Sequence, residues 1–113
     1  MAKTKEERRN EIIETAGKLF EEKGYEQTQV QDIVNEIGVA KGLFYYYFKS
    51  KDEVMEELAD RYAAAIIDAV NKLIDKDITT FDKINRIFQI FIDSAEKKFG
   101  IFMGILNVKN GKT

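Results

Sequence analysis

Between Val39 and Lys51 the chain gathers side chains suited to gripping an anion beside a flat ring: the amines of Lys41, Lys49 and Lys51 and the phenols of Tyr45 and Tyr46. A lysine ammonium reaches a phosphate or a guanine edge. A phenol donates to phosphate while its ring packs on sugar or base, and Leu43 has the shape to cover a thymine methyl. Gly42, between Lys41 and Leu43, lets a partner's surface approach the backbone. This stretch carries three lysines and no acid, although the whole chain has 18 basic and 20 acidic residues and a net charge of -2. The positive field is therefore local rather than global.

Other chemistry is poorly served. With no cysteine and no histidine, disulfides, thiolate metal sites, a cysteine nucleophile and the usual general base are all excluded. There is no glycine-rich phosphate loop, and acidic pairs such as Glu56 and Asp60 read as solvated helix faces rather than metal ligands. The expectation is a non-enzyme with no cofactor and no metal. No apolar run approaches the roughly 18 residues of a membrane span, and the N-terminus is charged, so the chain is expected to be cytoplasmic with no membrane partner. At 113 residues, 44% hydrophobic and 34% charged, it should fold as a small soluble protein.

Positioning these residues falls to helices. Proline is absent and apolar residues recur at helical spacing nearly throughout. Ile12, Ile13, Ala16, Leu19 and Phe20 predict a first helix from about Lys5 to Lys23, stopped by Gly24. Thr28 is the expected N-cap of a short second helix through Val30, Ile33, Val34 and Ile37, ending at Gly38. A third begins at Lys41 and sets Phe44, Tyr47 and Phe48 on one face, leaving Lys41, Gly42, Leu43, Tyr45 and Tyr46 outward. Ser50 and Glu53 form a capping-box pattern for a fourth helix with the stripe Val54, Leu58, Tyr62, Ala65, Ile66, Ala69 and Leu73. After the polar "DKDITT", Thr80 should cap a fifth helix from Phe81 to about Lys98, with Ile84, Ile87, Phe88, Phe91, Ile92 and Ala95 as its apolar face. A further short helix is expected through Ile101, Phe102, Ile105 and Leu106.

Two short helices joined by a three-residue turn containing glycine are the pattern of a helix-turn-helix, whose second helix enters the DNA major groove. The run "TQVQDIVNEIGVAKGLFYYYFKSKDEV", Thr28 to Val54, closely resembles the DNA-binding segment of TetR-family transcriptional regulators. With the first helix the resemblance covers about residues 5–70. It implies an all-α fold: a three-helix DNA-binding module over residues 1–50, then over 51–113 a connecting helix and one or two helices of a truncated C-terminal domain. It also implies a homodimer on pseudo-palindromic double-stranded operator DNA, with a small-molecule effector bound by the C-terminal helices, probed here by Tyr62, Phe88, Phe91 and Phe102.

Residue by residue, the resemblance gives Thr28 a cap and phosphate role and Gln31 a phosphate or base contact. Lys41, Leu43 and Tyr46 match base-reading positions, and Tyr45 and Lys51 match positions that grip the backbone. Gln29 and Ala40 depart from the family pattern, which has hydroxyls there; their loss shifts the expected weight to Lys41, Tyr45 and Lys51. Arg8 and Arg9 lie where a minor-groove contact is conceivable, but Glu6, Glu7 and Glu11 surround them, which favours a solvated face. Family members are considerably longer, so the chain is expected to be incomplete. Ligand-responsive repression is the favoured reading. The alternative is a helical interaction module that uses the same aromatic face without DNA, for which binding would be insensitive to salt.

Overall fold

The computed structural model describes residues 2–97, in which there are five α-helices and no strand. Helix α1 spans Lys5–Lys23, α2 Val30–Ile37, α3 Lys41–Tyr47, α4 Lys51–Ile74 and α5 Thr80–Lys97. The expected all-helical order is present, and the expected helix through Phe102 lies outside the described residues.

Each start has a local cause. Thr4 and Glu7 form a reciprocal capping box at α1: the Glu7 amide donates to Thr4 Oγ1 and the Thr4 amide to Glu7 Oε1, both at 3.1 Å. At α2 the cap is Gln29, one residue later than expected, and its amide donates to Asp32 Oδ2 at 2.8 Å. Ser50 caps α4 as its sequence suggested, accepting from the Glu53 amide. The α5 cap moves one residue earlier, because Thr79 Oγ1 accepts from the Asp82 amide and Thr80 is already helical. Gly38 ends α2 in the left-handed region at φ 87°, which lets its amide reach Val34 O while the chain turns into α3.

The core is built from one face of each of the first four helices. Ile12, Ile13, Ala16, Leu19 and Phe20 of α1 meet Ile33 and Val34 of α2, Phe44 and Phe48 at α3, and Val54, Met55 and Leu58 of α4, with Tyr25 from the first loop. Burial of each large side chain is worth about 1.5–3 kcal/mol, enough for so small a module to hold its shape. Helix α1 crosses α4 closely. Gly17 lies at this crossing, where a Cβ would sit 3.2 Å from Leu58 Cδ2 and press on that side chain.

Beyond Tyr62, α4 leaves this core and pairs with α5. The expected stripe of α5 does not face α4: Ile87 and Ile90 are half-buried, whereas Phe81, Ile84, Phe88, Phe91 and Ile92 are exposed. Simple packing of Phe81, Phe88 and Phe91 onto α4, the reading that burial preference favours, is thereby corrected. Lys83 Nζ instead bridges the elbow by donating to Ile74 O at 2.8 Å.

Candidate nucleic-acid interface

Helix α3 is seven residues long and is held by aromatic anchors rather than by capping. Phe44 is fully buried and Phe48 nearly so; their ring centroids lie 5.8 Å apart. Tyr45 leans edge-on against Phe44 at 5.3 Å and Tyr46 against Tyr47 at 4.9 Å, so the outer rings are oriented by the inner ones. Tyr45 is nevertheless 51% and Tyr46 62% exposed. Lys41, Gly42 and Ala40 are also exposed, while Leu43 and Tyr47 are half-buried. A Cβ at Gly42 would meet nothing within 4 Å, so no contact inside this chain demands glycine there.

Around this face stand the α2 side chains. Gln31 Nε2 donates to Asn35 Oδ1 at 2.8 Å on the exposed side, which fixes the direction of the Gln31 amide, and Gln29 is exposed at the helix start. Asp32 sits lower than an ordinary carboxylate in pKa, chiefly because it accepts from the Gln29 amide and also because Lys23 lies 3.0 Å away.

Two expected contacts turn inward. Thr28 is completely buried, and its hydroxyl donates toward Gly24 O at 2.8 Å and Leu19 O at 3.3 Å, so it does not cap α2. Lys51 folds back on the loop between α1 and α2. Its Nζ donates to Tyr25 O at 2.8 Å and Thr28 O at 3.1 Å and stands 4.4 Å from the Tyr25 ring centroid. Burial pushes its pKa down, and the Glu26 charge opposes that shift. In this structure the Lys51 amine is thus engaged by the α1–α2 loop. Arg8 and Arg9 are also committed, to Glu11 at 2.7 Å and Glu57 at 2.6 Å, and Arg9 lies 5.0 Å from the Phe48 ring centroid.

One cation was missed by sequence reasoning. Lys5, at the start of α1, places its Nζ 5.7 Å from the Tyr46 ring centroid. No spacing rule links positions 5 and 46; only the folded packing brings them together.

The expected effector residues are not gathered. Tyr62 borders a shallow groove of about 310 Å³ between α1 and α4, beside Gly17, Leu58 and Arg61. Phe88 and Phe91 lie on the open face of α5, 64% and 55% exposed, and Phe102 is outside the described residues. A second groove of about 320 Å³ between α4 and α5 is bordered by Ala69, Leu73, Arg86 and Ile90, and by none of Tyr62, Phe88 and Phe91. Among the described residues no cluster has the composition to hold a metal ion, and no described helix is long and apolar enough to cross a membrane.

With this arrangement in place, comparison with known proteins is specific. The model of the family described as bacterial regulatory proteins, tetR family, matches residues 12–58, which run from the α1 core face to Leu58 and include the whole α2–turn–α3 unit. From the α1 core face through the α2–turn–α3 unit the chain matches the tetR family. Its relatives include the HTH-type transcriptional repressor KstR2 of Mycolicibacterium smegmatis, 25% identical over 91 residues that make up 80% of this chain and 44% of KstR2. The HTH-type transcriptional regulator YuxN of Bacillus subtilis is 49% identical over 51 residues, 45% of this chain and 18% of YuxN. Among solved structures, a transcriptional regulator from Aquifex aeolicus superposes with a TM-score of 0.67 at 29% identity, over 92% of this chain and 63% of the other. KstR2 of Mycobacterium tuberculosis shares the fold, with a TM-score of 0.70 at 24% identity over 89% and 50% of the two chains. The chain thus spans less than half the length of these sequence relatives.

Proposed function

We propose that this chain is the DNA-reading part of a transcriptional regulator that binds double-stranded operator DNA by seating α3 in the major groove. The observation that carries the reading is the outward face of α3: Lys41, Gly42, Tyr45 and Tyr46 stand exposed on a helix whose other side is locked by Phe44 and Phe48. Aromatic rings held on a packed helix lose little conformational freedom on meeting DNA. Lys41 and Tyr46, with Leu43 beside them, would meet bases; Tyr45, Gln31 and the exposed backbone around Gln29 and Ala40 would meet phosphates. The names of the relatives, which are transcriptional regulators and a repressor, point the same way.

The finer reading is a ligand-responsive repressor acting as a homodimer in the cytoplasm, without catalysis. Two modules, residues 1–50 of each protomer, would read two half-sites of a pseudo-palindrome. Residues 51–113 would connect them to an effector site, with Tyr62, Phe88, Phe91 and Phe102 as its proposed lining. A small molecule that favours the wrong spacing of the two α3 helices would release the operator, and DNA would reciprocally weaken the small molecule.

The test is fluorescence anisotropy against a labelled duplex pool enriched by selection, at two salt concentrations, for the wild type, Lys41→Ala and Tyr46→Ala. Saturable binding that weakens with salt and falls at least about tenfold in both variants is the expected result. Salt-insensitive association without preference for duplex would favour the interaction module. No binding by a version fused to a dimerising coiled coil would remove the DNA reading.

A further inference from the structure

Lys3 just ahead of α1 and Lys5, Arg8 and Arg9 in its first turns are four described cations, and three of them are neutralised. Lys3 pairs with Glu11 at 2.6 Å, Arg8 with the same carboxylate at 2.7 Å and Arg9 with Glu57 at 2.6 Å. Glu7, which might have shielded the next position, is occupied by the Thr4 cap. Among the described residues Lys5 forms no ion pair, and its ammonium rests instead against Tyr46, on the exposed face of α3.

This placement runs against local preference. A lysine in the first turn of a helix faces the positive end of the helix dipole and is mildly unfavourable there. The Tyr46 phenol beside it raises the Lys5 pKa, so the neighbouring ring favours the charged amine. Charge left unpaired beside an exposed aromatic is what a phosphate-facing surface needs.

We propose that Lys5 and Tyr46 act as one composite contact for duplex DNA, in which Lys5 takes a backbone phosphate beside the groove that α3 enters and holds Tyr46 in its reading position. The proposal rests on the reading of α3 as the DNA-facing helix. It extends the binding surface from the helix-turn-helix onto α1 and makes Lys5 both a phosphate contact and a positioning residue.

The full chain is titrated by anisotropy onto a labelled duplex of random sequence over a series of NaCl concentrations, beside Lys5→Gln, Lys5→Arg, Tyr46→Phe and the double variant Lys5→Gln/Tyr46→Phe. Lys5→Gln should make the slope of log affinity against log salt shallower by about 1 per bound subunit and weaken binding evenly across sequences. Lys5→Arg should keep the slope, and the unfolding midpoint of each single variant should match the wild type, because Lys5 and Tyr46 are exposed. Lys5→Gln should cost less affinity in the Tyr46→Phe background than in the wild type, the mark of a coupled pair. A wild-type slope in Lys5→Gln, with wild-type duplex binding intact, overturns this inference alone. Absence of duplex binding by the wild type overturns it together with the DNA reading.

Discussion

Lys51 Nζ donates to the carbonyl of Tyr25 at 2.8 Å and lies 4.4 Å from the centre of the same residue's ring. A single amine thus fastens the start of α4 to the loop that orients α2. Lys51→Ala should lower stability by about 1–2 kcal/mol, a charge-assisted pair discounted for partial exposure. The salt slope of duplex binding should be unchanged. Thermal unfolding followed by circular dichroism, beside the anisotropy titration, separates the two; a shallower slope at wild-type stability would restore Lys51 to the phosphate contacts.

Thr28 makes a sharper demand, because its hydroxyl is sealed among carbonyls. Thr28→Val keeps the shape and removes the donor, and should cost about 1–3 kcal/mol in urea unfolding. Thr28→Ser retains the bond and should cost less. Equal losses in the two would show that packing, not the hydrogen bond, is what Thr28 supplies.

Gly42 offers a test of conflict between folding and binding. With open space around a prospective Cβ, Gly42→Ala should stabilise the chain by up to about 0.5–1 kcal/mol through helix propensity and the unfolded state. It should weaken duplex binding, since the methyl stands on the exposed side of α3. Wild-type affinity in the stabilised variant would show that no partner approaches this backbone.

Acid should loosen the module through three carboxylates. Asp32 is lowered by the Gln29 amide and then Lys23, Glu7 by the Thr4 amide, and Glu11 by Lys3 and then Arg8. A depressed folded value means the stabilisation is complete above the ordinary carboxylate range, near about pH 4, and is lost as pH falls through the lower folded values. Asp32→Asn should therefore lower the melting temperature more at pH 6 than at pH 2.5. An equal effect at both would place the Asp32 contribution outside its charge.

The open side of α5 is measurable without knowing what covers it. The wild type should enhance the fluorescence of the dye ANS at neutral pH, and Phe88→Glu/Phe91→Glu should abolish most of that signal while leaving helical content intact. Undiminished dye binding would locate the apolar surface elsewhere.

The sequence made the helices and most of the core legible because both follow from spacing. The stripe Ile12, Ile13, Ala16, Leu19 and Phe20 and the anchors Phe44 and Phe48 are buried as periodicity requires. Met55 joins the core although it lies beside the stripe drawn for α4. Cap positions slipped by one residue at Gln29 and Thr79, where two adjacent polar residues compete and local spacing does not choose between them. What spacing could not convey is side-chain commitment over long sequence separations. The folding back of Lys51 onto Tyr25, the capture of Arg9 by Glu57 and the meeting of Lys5 with Tyr46 each depend on three-dimensional packing. The outward direction of Phe88 and Phe91 is of the same kind: amphipathicity announces an apolar face but not its partner.

Helix α4 contributes 24 residues, and its first turns are fixed to the module by Val54, Met55 and Leu58, by the Arg9–Glu57 pair and by Arg61 donating to Asn10. From Tyr62, the last residue packed on that core, to its end at Ile74 the helix extends about 18 Å at 1.5 Å per residue. A sideways displacement of roughly 2 Å at the elbow, with the helix kept straight, would correspond to a turn of roughly 6° at the module, and the tyrosines of α3, which stands on the same core, would turn with it.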